Sequence, residues 1–151
     1  MEQMIEIRIL PHGEPFYKKE AFTGSKLGGL DLRVTEDVFL QPNEIKMVPS
    51  GLSVWLQDPF LLGLVYIRSS IGRMGVRLAN GTGVIDPDYQ GELIQCLHNY
   101  GGKPINFTAG DRVAQLIVTP QININKHLQL VCEFTSGTER GEGGFGSSGI
   151  K

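Results

Sequence analysis

Cysteine is nearly absent: Cys96 and Cys132 are the only two in 151 residues. They are widely spaced and each lies in an apolar run. The chain therefore has no disulfide framework, and buried free thiols in a reducing compartment are expected. Positive charge is also in short supply. The formal net charge is −2, which leaves no broad basic surface and excludes nucleic-acid duplex binding. A polyanionic ligand must instead meet a local cluster of donors. No apolar run approaches the ~18 residues that a membrane span requires. The opening Met-Glu-Gln-Met-Ile-Glu carries acid where a secretory signal carries positive charge. A soluble, cytoplasmic protein without membrane association is expected. Other familiar devices are missing as well. The three histidines, His12, His98 and His127, show no metal-ligand spacing and read as ordinary surface or strand residues. No Gly-x-Ser-x-Gly elbow occurs, nor a Gly-Lys-Ser/Thr phosphate loop. No window has the period of a long amphipathic helix, and residues 69–74 suffice for one helical turn at most.

What remains is a chain of short strands and turns. With 40% hydrophobic and 20% charged residues over 151 positions, one globular domain with its own core is expected. Alternating or continuous apolar runs at 4–10, 30–34, 38–40, 44–48, 52–57, 61–67, 92–98, 105–107, 112–119 and 128–134 read as strands. Pro49-Ser-Gly51 reads as a break between two of them, and the nearly unbroken apolar 61–67 as a strand buried on both faces. Strands at this spacing, with 20 Gly and 8 Pro between them, predict an all-β sandwich or barrel. Composition then changes at residue 136. The stretch 136–149 holds six Gly and almost nothing to bury. It is expected to be a mobile tail, 136–151, on a β domain of residues 1–135.

Three stretches carry groups suited to a small polar ligand. Residues 80–91, Asn-Gly-Thr-Gly-Val-Ile-Asp-Pro-Asp-Tyr-Gln-Gly, read as a β-hairpin in which Gly81 and Gly83 let a ligand approach the backbone. Asp86 would sit in the site and Tyr89 would offer a flat ring; a tight hairpin with solvated carboxylates is an equally good reading. Arg68-Ser69-Ser70 sets a guanidinium and two hydroxyls where a strand ends and a helical turn begins, an arrangement suited to phosphate. A helix cap with a solvated Arg is the alternative. The tail combines Arg140, Ser147 and Ser148 with freed amides, and Phe145 is available to stack on a base; a disordered terminus is its alternative.

Five runs, in order, resemble the motifs of the trimeric dUTPase family: Gly29-Leu-Asp31-Leu, Arg68-Ser-Ser-Ile-Gly72, Gly83-Val-Ile-Asp86-Pro-Asp-Tyr89-Gln-Gly91, Gly110-Asp-Arg-Val-Ala-Gln115-Leu-Ile and Arg140-Gly-Glu-Gly-Gly-Phe145-Gly-Ser-Ser148-Gly. They span residues 28–149, and Asn80 ahead of the third resembles bacterial members. Gly28, Ile67 and Pro87 depart from the usual pattern. The resemblance implies a distorted β jelly roll with a flexible glycine-rich tail. It also implies a homotrimer whose sites are shared between chains and hydrolysis of dUTP to dUMP and pyrophosphate. On it, Asp86 activates the water that attacks the α-phosphorus. Arg68, Ser69, Ser70, Gln115, Arg140, Gly146, Ser147 and Ser148 hold phosphates. Asn80, Gly83, Val84 and Ile85 read uracil, Tyr89 packs on the deoxyribose and Phe145 covers the base. Mg²⁺ comes bound through phosphates and water, with no direct protein ligand and Asp31 as an outer-shell contact. The related dCTP deaminases share Arg-Ser-Ser and Ile-Asp-Pro but resemble this chain less. They place a catalytic Glu where Cys96 stands, favour Trp at the place of Tyr89, and lack the glycine-rich last motif. A non-catalytic, nucleotide-binding jelly-roll module is the third alternative.

Overall fold

Short apolar–polar alternations, each too short to bury a core alone, pair here into two packed layers. A computed structural model describes residues 5–22 and 28–144. Its strands are β1 (Glu6–Ile9), β2 (Leu30–Arg33), β3 (Val38–Leu40), β4 (Ile45–Trp55), β5 (Leu61–Ile67), β6 (Val76–Leu78), β7 (Gly83–Ile85), β8 (Glu92–Asn99), β9 (Ile105–Phe107) and β10 (Arg112–Pro120). One short helix, α1 (Ser69–Arg73), follows β5. One sheet has the order β1-β4-β8-β6, a second β2-β10-β5-β7, and β3 pairs with β9. The pairings are antiparallel. The architecture is the expected all-β, jelly-roll-like one.

The core lies between the sheets. Leu32, Val34, Leu40, Leu52, Leu56, Val76, Leu97 and Val113 are fully buried, and each contributes roughly 1.5–3 kcal/mol by leaving water. Polar groups pin the layers where backbone pairing stops. Tyr17 donates its hydroxyl to the Ser50 carbonyl at 2.8 Å and accepts the Arg33 amide at 2.8 Å. Burial pushes the Tyr17 phenol up to about 12. The Gln95 amide donates to the Arg33 carbonyl at 2.9 Å. Asn99 donates to the carbonyls of Leu40 at 3.1 Å and Lys103 at 2.8 Å.

Several expectations need correction. The chain does not break at residues 49–51, because β4 runs through them with a bulge between Pro49 and Ser53. Gly51 makes this possible. It adopts φ +74° and backs onto Gly13 so closely that a Cβ there would lie 2.5 Å from the Gly13 Cα. β5 is buried on one face only, with Val65 inside and Tyr66 outside. Residues 128–134 are not a strand. Beyond Pro120 the described chain forms only one 3-10 turn, Ile124–Lys126. Leu130 and Phe134 are 100% and 91% exposed, and the alternation pairs with no strand of the described residues. The cysteines are free, as expected, but Cys132 is exposed and Cys96 only half-buried. No helix among the described residues is long and apolar enough to cross a membrane.

Candidate functional site

Arg68 stands where β5 turns into α1, and the fold fixes its backbone before its side chain. Its amide donates to the Val113 carbonyl at 3.0 Å, and α1 is anchored by the buried Ile71. The guanidinium then meets Asp31 on β2, Arg68 Nε to Asp31 Oδ1 at 3.1 Å. Arg112 binds the other oxygen, Nη1 to Oδ2 at 3.0 Å, while Arg68 Nη1 donates to the Arg112 carbonyl at 3.2 Å. One carboxylate thus holds two guanidiniums, and the cluster keeps one net positive charge beside the exposed Ser69 and Ser70. A cavity of about 270 Å³ opens there, lined among others by Arg68, Ser70, Asn106 and Arg112, with the Asp111 carboxylate also on its wall. An oxyanion of a phosphate finds guanidinium and hydroxyl donors at its mouth.

Sheet register extends the cluster sideways. Asp31 on β2 is opposite Gln115 on β10, which is opposite Tyr66 on β5. Directly opposed residues share a face, so Asp31, Gln115 and Tyr66 form one outward polar row. The next outward row is apolar: Ile117 opposite Leu64, and Leu64 opposite Val84.

Residues 80–91 do not form the expected hairpin. β7 pairs with β5, whereas β8 lies between β4 and β6 in the other sheet. The stretch is a crossover between layers, and turn composition alone cannot say which distant strand receives it. Its local chemistry is as read. Val84 and Ile85 are extended, Asp86 is exposed, and the Tyr89 amide closes the turn on the Asp86 carbonyl at 3.1 Å. Tyr89 folds back so that its hydroxyl donates to the Glu92 carbonyl at 2.8 Å. Its ring then lies over Gly91, where a Cβ would come within 2.4 Å of the phenolic oxygen.

The expected residues therefore fall into separate groups. Arg68, Ser69, Ser70, Gln115 and Asp31 come together at one end of the second sheet. Asn80, Gly83, Val84, Ile85, Asp86 and Tyr89 come together at the crossover. Gly83, opposite Val65, lies near the first group, but the strand then runs away from it and carries Asp86 to the far end. Ile85 is level with Gly63, five residues before Arg68 along β5, which is ~16 Å of extended strand. Arg140 bonds locally, its Nε donating to the Gly143 carbonyl at 2.7 Å. Phe145, Gly146, Ser147 and Ser148 lie outside the described residues. Among the described residues no three His, Cys, Asp or Glu side chains gather as a metal site. His12 bonds Glu92 at 2.8 Å and His98 accepts from Arg77 at 3.1 Å. Arg112 was not singled out by its type or spacing. Its signal was positional, three residues ahead of Gln115 on the strand that pairs with Asp31.

Comparison with known proteins gives a consistent result. Residues 23–149 match the family model described as dUTPase. The deoxyuridine 5'-triphosphate nucleotidohydrolase of Mannheimia succiniciproducens is 44% identical over 132 residues, covering 85% of each chain. That of Actinobacillus succinogenes is 46% identical over 134 residues, covering 87% of this chain and 85% of its own. Among solved structures, a mutant dUTPase of Staphylococcus bacteriophage 80alpha with dUpNHpp superposes with a TM-score of 0.81 at 24% identity, covering 97% of this chain and 99% of its own. A mutant dUTPase from phage phi11 of S. aureus, which coordinates a structural Mg(II) ion, gives 0.72 at 21% identity over 88% of this chain and 99% of its own.

Proposed function

The chain belongs to the dUTPase family and hydrolyses dUTP to dUMP, and from that premise we propose that it does so at a site assembled from three copies of itself. The observation that carries this reading is the separation of Asp86 from the Arg68–Gln115 group along β5. That separation favours a base supplied from a different chain than the one whose Arg68 holds the phosphate. One subunit would supply Asp31, Arg68, Ser69, Ser70 and Gln115, and a second Asn80, Gly83, Val84, Ile85, Asp86 and Tyr89. A third would supply Arg140, Phe145, Gly146, Ser147 and Ser148. Exposed apolar surface supports association: Ile122, Ile124, Leu128, Leu130 and Phe134 follow β10 with nothing over them, more than a monomer usually leaves in contact with water.

In the proposed mechanism Asp86 orients a water and takes its proton. The water oxygen bonds to the α-phosphorus while the bond to the bridging oxygen breaks, so the products are dUMP and pyrophosphate. A carboxylate is a weak base and works here through placement. Arg68, the serine hydroxyls and Gln115 neutralise and orient phosphate oxygens. Backbone groups between Asn80 and Ile85 read the uracil edge, a close approach that leaves no space for a thymine methyl. The Tyr89 ring, held by Glu92 and Gly91, packs on the deoxyribose and excludes a 2′-hydroxyl. Phe145 stacks on the base.

A triphosphate carries more charge than Arg68 and Arg140 offset, so Mg²⁺ belongs to the proposal. The donor set fits an ion carried by phosphate and water. Both Asp31 oxygens are engaged by guanidiniums, yet each keeps lone pairs, enough to accept from a metal-bound water. Bound in this way the ion supplies countercharge to the triphosphate. Two free cysteines suit a reducing compartment, and the cytoplasm is the proposed location. Incubation with dUTP, dTTP, UTP and dCTP tests the reading. Pyrophosphate from dUTP, little from the others and no ammonia from dCTP are expected; ammonia from dCTP would overturn it.

A further inference from the structure

We propose that Tyr66 is a phosphate-binding residue of this site, donating its phenolic hydroxyl to the phosphate chain that Gln115 and Arg68 hold. The proposal rests on the reading of that group as the triphosphate site. Three observations carry it. Register sets Tyr66 directly opposite Gln115, itself directly opposite Asp31. The Arg68–Asp31 ion pair at 3.1 Å independently fixes which face this is. Arg68 follows Tyr66 by two residues of extended chain, so both side chains leave the sheet on the side of Asp31. Tyr66 is also 37% exposed on a strand whose neighbouring Val65 is 5% exposed, and its hydroxyl has no hydrogen-bond partner among the described residues.

Cross-strand neighbours stand about 4.5–5.5 Å apart at Cβ, and a tyrosine side chain exceeds that length. An anion bridging Arg68 and Gln115 therefore falls within reach of the phenol. A phenol suits the task. Its O–H donates without adding a positive charge to a group that already holds two guanidiniums, and its rigid ring loses little rotamer entropy. The run that contains it, Leu-Val-Tyr-Ile-Arg, reads as strand from sequence, and nothing there marks Tyr66 as functional. Only the pairing of β5 with β10 does.

Tyr66→Phe removes the hydroxyl and keeps the ring, so packing is preserved. The variant should raise KM for dUTP about tenfold or more, the usual worth of a donor to a charged oxygen, with kcat within about twofold. Binding of a non-hydrolysable dUTP analogue should weaken to the same degree, while deoxyuridine should bind as before. Unchanged KM and analogue affinity would overturn the proposal. Equal weakening for deoxyuridine would also overturn it, because the hydroxyl would then act away from phosphate. Gln115→Ala separates this from the underlying reading. If Gln115→Ala raises KM and Tyr66→Phe does not, only the Tyr66 assignment fails. A native KM for Gln115→Ala would remove the phosphate site itself, and Tyr66 with it.

Discussion

Asp86 and Gly91 show how much a single position in the crossover can decide. Asp86 is exposed, and on the proposed mechanism its task is chemical and not structural. Asp86→Asn should leave folding and analogue binding nearly native and cut kcat by about 10²–10⁴, the usual worth of a positioned acid or base. Turnover near the native rate would reassign the base. Gly91 is the reverse case, structural in itself and tied to the proposed site through Tyr89. A methyl there would meet the Tyr89 hydroxyl at 2.4 Å, so Gly91→Ala must lift the ring off the Glu92 carbonyl. Loss of discrimination between dUTP and UTP, measured as the ratio of kcat/KM values, is the expected result. An unchanged ratio would separate Tyr89 from sugar selection. Composition set Asp86, Arg68 and Gln115 apart as polar groups at turns or among apolar neighbours, and the family resemblance supplied the roles proposed for them. Tyr66 and Arg112 stayed hidden, because only register gives them neighbours.

At the scale of elements, period and punctuation located most strands, and the failures share a cause. Pro49 and Gly51 read as a stop, yet β4 absorbs them in a bulge because Gly13 lies against Gly51. Residues 128–134 alternate like a strand and remain unpaired, because alternation does not by itself supply a pairing partner. The crossover at 80–91 read as a hairpin because its turn residues do not disclose that β7 joins β5. In each case the deciding contact lies far away in sequence. Tyr17 is a further long-range device, joining β2 and β4 through Arg33 and Ser50. Its phenol rises from the ordinary 10 to about 12, so the folded state holds that proton more tightly than the unfolded chain. Its stabilisation is complete below pH ~10 and is lost as pH rises through about 12. Urea midpoints should therefore fall between pH 10 and about 12, and fall less steeply in Tyr17→Phe. Parallel slopes for both proteins would remove Tyr17 from the alkaline transition.

For the whole molecule, the layered β fold sets Arg68 and Gln115 at one end of a sheet, while Ile85, next to Asp86, is level with Gly63 toward the other end. In the proposed cyclic trimer each group would serve a neighbour's site, and the exposed apolar residues after β10 would gain a partner surface. The sharpest test mixes two inactive variants. Asp86→Asn lacks the base at every site, and truncation after Glu139 lacks the tail at every site. Unfolded and refolded together in equal amounts, they should regain activity at about a quarter of sites, from two independent one-in-two choices in a cyclic trimer. A working site takes its crossover from a truncated chain and its tail from a full-length one. Zero recovery, with mixed trimers verified by mass, would contradict the three-chain site.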